Sequence, residues 1–161
     1  MEKRNLVLNS IKNKKNQQYL KYTVDSINLK LASTEVELIE IKKLQNQNLK
    51  GNLSPEKIFE EGFLTADYTL SYLKEINQKN KAIILKKKKV IGYALAITAE
   101  VAKNHTLLSN LFTHFNNQVY KNKLLGEQSY IVVGQLCIDE KYRGMGYVCL
   151  LYTSPSPRDS D

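Results

Sequence analysis

Arg143, Gly144, Met145 and Gly146 follow an apolar run, Tyr130-Ile131-Val132-Val133-Gly134-Gln135-Leu136-Cys137-Ile138, and residue types in this order can hold a phosphate. Glycines lack a Cβ, so successive backbone N–H groups can turn toward one anion, and a helix that starts just afterwards adds its positive end. The guanidinium of Arg143 contributes charge of the right sign. Taken alone, Arg-Gly-x-Gly also suits a plain surface turn between a strand and a helix.

The remaining reactive residue types are less organised. Cys137 sits inside the apolar run and reads as a small core residue, and its spacing to Cys149 is not that of a metal site. His105 and His114 do not fall on adjacent helical turns, so they are not a metal-binding pair, and no metal is expected. Asp139 leads into the glycine stretch, where a carboxylate caps a turn. Glu100, beyond a second apolar run, is the one carboxylate placed to be considered as a catalytic base. Tyr93 and Tyr130 read equally well as packing residues whose hydroxyls find a partner.

The stretch from Leu136 to Gly146 resembles the acyl-CoA pyrophosphate motif of the GNAT N-acyltransferase family, whose loop reads Gln/Arg-x-x-Gly-x-Gly/Ala. Arg143 and Gly146 match that pattern. Val148 departs from it, standing where a small residue is usual. The resemblance covers about residues 27–148 and implies an N-acetyltransferase that moves an acetyl group from acetyl-CoA to an amine, with an acceptor that the sequence does not identify. It further implies that Leu136, Cys137 and Ile138 hold the pantetheine arm by main-chain hydrogen bonds. The backbone of Arg143, Gly144, Met145, Gly146 and Tyr147 takes the pyrophosphate, and Val148 closes the cofactor-binding set. A backbone N–H near Leu136 or Ile138 polarises the thioester carbonyl. The tyrosine that often serves as the acid in this family lies on a helix beyond the loop and has no counterpart here. A rival reading is a GNAT-like module that binds acyl-CoA without catalysis.

The elements that must position these residues follow from periodicity. Alternation predicts a strand at 27–32, and Ser33 or Thr34 caps a helix to about residue 48, with Val36, Leu38, Ile39, Ile41 and Leu44 as its apolar side. Ser54-Pro55 opens a second helix, in which Ile58, Phe59, Phe63 and Leu64 face inward. A third helix is expected at about 66–77, carrying Leu70, Leu73 and Ile76. Two strands, 81–86 and 90–102, flank Lys86-Lys87-Lys88-Lys89, which reads as a solvated hairpin turn. Leu108, Leu111, Phe112, Phe115 and Val119 place a helix from 105 to about 120, an insertion relative to the family's tight hairpin. A fourth strand is expected at 130–138. The fold class is α/β, an incomplete GNAT-like fold with a central, mainly antiparallel mixed sheet flanked by helices.

Composition narrows the partners. With 42% hydrophobic and 25% charged residues the chain is expected to be globular, and no run approaches the roughly 18 apolar residues that span a bilayer. We read a cytoplasmic, bacterial protein without a membrane partner. The net charge of +8 raises the question of nucleic acid. The basic residues are spread along the chain without interleaved aromatics, so nucleic-acid binding is not expected and the charge favours an anionic cofactor. Residues 1–26 read as an N-terminal extension. Residues 149–161, from Cys149 through Ser154-Pro155-Ser156-Pro157, change character and resemble translated sequencing-adapter read-through. On that reading 27–148 is the front portion of an acyltransferase domain, 149–161 is a non-native tail, and the fragment is inactive. Val132, Leu136 and Ile138 are then expected to be poorly covered.

Overall fold

The computed structural model describes residues 27–153; the N-terminal extension and the Ser154–Pro157 stretch lie outside them. Strand β1 (Asn28–Leu31) leads into helix α1 (Glu35–Asn48) through a capping box. The Thr34 hydroxyl accepts from the Glu37 N–H, and the Glu37 carboxylate reaches back to the Thr34 N–H. Helix α2 (Pro55–Glu61) and helix α3 (Leu70–Lys79) follow, then strands β2 (Ile83–Lys86) and β3 (Val90–Ile97). The lysine stretch does make the β2–β3 turn, closed by a bond from the Lys87 N–H to the Lys89 carbonyl at 3.0 Å. Helices α4 (Ala99–Ala102) and α5 (Thr106–Asn116) lead to a small hairpin, β4 (Val119–Tyr120) and β5 (Lys123–Leu124). Strand β6 (Val132–Ile138) and helix α6 (Tyr147–Thr153) complete the described chain.

One four-stranded, wholly antiparallel sheet runs in the order β1-β2-β3-β6, with helices against it, so the architecture is mixed α/β. One face carries Ile84, Tyr93, Leu95, Ile97 and Cys137 and packs under α1, α3, α4 and α5 through Ile41, Leu73, Val101 and Phe112, among others. The other face carries Leu85, Ile91 and Ile138 and is covered by Leu151 of α6. Alternation sets the faces along most of each strand, but the register shift opposite Leu85 and Lys86 puts Ile91 on the face opposite Tyr93, Leu95 and Ile97.

Several sequence expectations are corrected. Residues 98–102 leave the sheet because Ala99–Ala102 is helical. Val119 and Tyr120 are not in α5; Lys121 and Asn122 adopt positive φ and turn the chain into the β4–β5 hairpin. Residues 66–69 are not helical, because Thr69 accepts from the Tyr72 N–H and starts α3 there. Val36 is 61% exposed and Phe59 is 92% exposed rather than inward-facing. Ile138 is buried, because Leu151 packs against it, whereas Val132 and Leu136 are half-buried.

Candidate functional site: the end of β6 and its glycine loop

Strand β6 is an edge strand, and its hydrogen-bond phase decides what the edge presents. The Asp139 N–H donates to the Ile91 carbonyl at 2.8 Å, and Gly92 stands opposite Ile138. In an antiparallel ladder this makes Tyr93 and Cys137 a hydrogen-bonded pair and turns the main chain of Leu136 and Ile138 away from β3. Of the three residues expected to hold a pantetheine arm, Cys137 therefore spends its backbone on the ladder. Its thiol, pushed up to about 11 by burial, stays neutral in the core.

Two side chains stop the open edge at either end. The Tyr68 hydroxyl donates to the Gly134 carbonyl at 3.4 Å, and Arg143 Nε donates to the Ile138 carbonyl at 3.0 Å. Between them Leu136 keeps both N–H and C=O without a partner among the described residues. Gly134 is the extra residue where the register shifts against Leu95 and Ala96, a bulge that bends the strand. A Cβ there would meet Ile97 Cγ1 at 2.2 Å, so only glycine fits.

A buried polar network sets this edge on the body. Gln135 Oε1 accepts from the Tyr93 hydroxyl at 2.7 Å and from Gln45 Nε2 at 2.9 Å, and Gln135 Nε2 donates to the Ala66 carbonyl at 2.9 Å. The Tyr68 N–H donates to Gln45 Oε1 at 3.1 Å. Burial pushes the Tyr68 phenol up to about 12, and that of Tyr93 up as well, so both are neutral hydrogen-bonding groups. Tyr130 likewise donates to Asn116 Oδ1 at 2.7 Å.

Beyond β6, the Asp139 carboxylate accepts from the Lys141 N–H at 3.1 Å, the turn cap that its position implies, and pairs with Lys89 at 3.2 Å. Gly144 (φ 72°) and Gly146 (φ 78°) are left-handed on either side of Met145, and a Cβ at either would point into open space. Among the described residues, the N–H groups of Gly144, Met145, Gly146, Tyr147 and Val148 have no backbone or side-chain acceptor. Five donors on consecutive residues, two of them left-handed glycines, are thus left available to an anion.

Arg143 points elsewhere. Its guanidinium bonds to the Glu61 carboxylate at the end of α2 and to Asn48 Oδ1 at the end of α1. Beside it runs a cleft of about 420 Å³ lined by Leu44, Asn48, Lys57, Asp139 and Arg143, among others. Nothing local in the sequence marks Asn48, Lys57, Glu61 or Tyr68 as site residues.

Glu100 stands apart from this edge. It lies in the first turn of α4, its side chain 68% exposed, bonded to Lys79 at 2.7 Å, and that hydrogen bond holds its carboxyl below the usual value. Among the described residues no cluster of three or more His, Cys, Asp or Glu side chains forms, and no helix is long and apolar enough to cross a membrane. Comparison with protein-family models, with curated proteins and with solved structures finds no match to this chain.

Proposed function

We propose that this chain carries the acyl-CoA-binding part of a GNAT-type N-acetyltransferase, acting on an amine. The observation that carries the reading is the run of unpartnered N–H groups at 144–148, directly beyond an edge strand with one open rung at Leu136. The loop takes the pyrophosphate, and the N–H and C=O of Leu136 pair with one amide of an extended arm, as a peptide adds to a sheet edge. The Ile138 N–H is turned to the same edge and is the donor for a carbonyl oxygen that gains charge. When bound, acetyl-CoA supplies an activated acyl group as its thioester.

A second reading, an acyl-CoA-binding module without catalysis, is favoured by one observation. Glu100 is committed to Lys79, and a carboxylate held below its usual pKa is a weak base. Glu100 serves as the base only after giving up that partner.

Binding, rather than turnover, is therefore the first test. Calorimetry should show acetyl-CoA bound by the chain, and Gly146→Glu should abolish it. The new side chain would fill the open space over Gly146, strain a left-handed residue and repel the phosphates. Unchanged affinity in Gly146→Glu would remove the reading.

A further inference from the structure

Residues 51–63 are attached to the molecule in an unusual way. The base of this excursion is fixed, because the Leu64 N–H donates to the Asn48 carbonyl at 2.8 Å and the Lys50 N–H to the Leu64 carbonyl at 3.0 Å. Above that base, α2 buries no residue, and Phe59 and Phe63 are exposed. Gly62 at its end has φ 77° with open space around it, and Gly51 before it is equally unencumbered. Leu53 and Ile58 are only half-buried, so polar contacts carry most of the docking. Here two ion pairs supply them: Lys57 with Glu140 at 2.8 Å, and Glu61 with Arg143. Lys57 and Glu61 are one helical turn apart on one face, and both partners lie in the segment between β6 and α6.

We propose that 51–63 is a flap latched by these two pairs, and that a phosphate-bearing ligand at the glycine loop opens it by drawing Arg143 from Glu61. This rests on the function proposed above. Three points support it. The Lys57–Glu140 pair is exposed and holds weakly, which leaves the Arg143–Glu61 pair as the main latch. A phosphate offers a guanidinium more charge and more acceptor oxygens than a carboxylate does. Arg143 adjoins Gly144, so rotation of its side chain alone can redirect it toward an anion held by the loop. Leu53, Lys57, Glu61 and Gly62 form one wall of the cleft, and opening the flap widens the cleft above Asn48 and Asp139.

Hydrogen exchange on the full chain tests this, with no ligand, with acetyl-CoA and with inorganic pyrophosphate. Either ligand should slow exchange at 144–148 and speed it at 51–63 on the order of tenfold. Glu61→Gln should expose 51–63 without ligand and tighten acetyl-CoA binding roughly two- to fivefold, while α1 amides stay as slow as in the wild type. Should Glu61→Gln also loosen α1, Lys57→Gln carries the same expectation for 51–63. Protection at 144–148 with unchanged exchange at 51–63 would overturn the flap and leave the function standing. No protection at 144–148 by either ligand would remove the function and the coupling together. Exchange at 51–63 that is the same in Glu61→Gln as in the wild type would overturn the latch.

Discussion

Helices α1 and α2 are neighbours in the chain and start in similar ways. Thr34 and Glu37 close a reciprocal box on the first, while Ser54 accepts from the Lys57 N–H at 3.4 Å on the second, with Pro55 in its first turn. From there they diverge. α1 buries Leu38, Ile41 and Leu44 and also Glu37, Gln45 and Asn48, each polar group bonded to a partner. α2 buries no residue fully, with Ile58 half-buried, and bonds to the body through Lys57 and Glu61. A start signal is local and reports only that a helix begins, whereas what the helix does depends on the surface opposite it. α1 lies against the sheet and belongs to the global fold; α2 lies beside a loop and is held by charge.

The largest expected effect follows from that difference. Ile41 is fully buried, and Ile41→Ala should cost about 2–5 kcal/mol in chemical denaturation. Phe59→Ala removes a larger side chain, yet one that is 92% exposed, and should stay within about 0.5 kcal/mol. Comparable losses at the two positions would show that α2 belongs to the core and break the contrast.

Glu37 sharpens the comparison electrostatically. Its side chain is 1% exposed and receives bonds from Lys30 at 2.7 Å and Lys86 at 2.9 Å. Burial raises its pKa, but the bonds from Lys30, the Ser33 N–H and Lys86 together outweigh burial and bring it from 4.5 to about 2. A folded pKa below the unfolded one stabilises the protein above pH 4.5, and that stability is lost as pH falls toward 2. The contribution near neutral pH is on the order of 3 kcal/mol. Glu37→Gln should lose most of it and flatten the stability profile across that acid range. An unchanged acid limb would place the responsible carboxylate elsewhere.

What the sequence shows and what it hides divide along the same line. The lysine turn and the Ser54-Pro55 start are legible because each depends on a few adjacent residues: a solvated hairpin and a cap. The inward face assigned to Phe59 was not, because apolar spacing does not say whether a surface stands opposite. Arg143 shows the same split within one residue. Its place before Gly144 marked the loop, but its partners Glu61 and Asn48 are 82 and 95 positions away and leave no local trace. The Gln135 network was equally hidden, since Gln45 is 90 positions distant. The departure of 98–102 from the sheet is hidden because Thr98, Ala99, Glu100 and Val101 alternate polar and apolar, as a half-buried strand does.

The smallest expected effect discriminates most sharply between the two helices. Thr34→Ala and Ser54→Ala each delete one cap hydroxyl and leave the backbone path intact. Thr34 starts a helix whose loss exposes the core, so its removal should lower global stability by about 1 kcal/mol. Ser54 starts a helix that can open by itself, and a cap that forms only within a local unit adds nothing to the free energy of global unfolding. Ser54→Ala should therefore leave the denaturation midpoint where it is while speeding protease cleavage and amide exchange within 51–63. The two readouts separate a helix that belongs to the fold from one that is merely docked on it. A Ser54→Ala chain that loses as much global stability as Thr34→Ala, with no selective exposure of 51–63, would show that α2 unfolds with the core, and the contrast between the helices would fail.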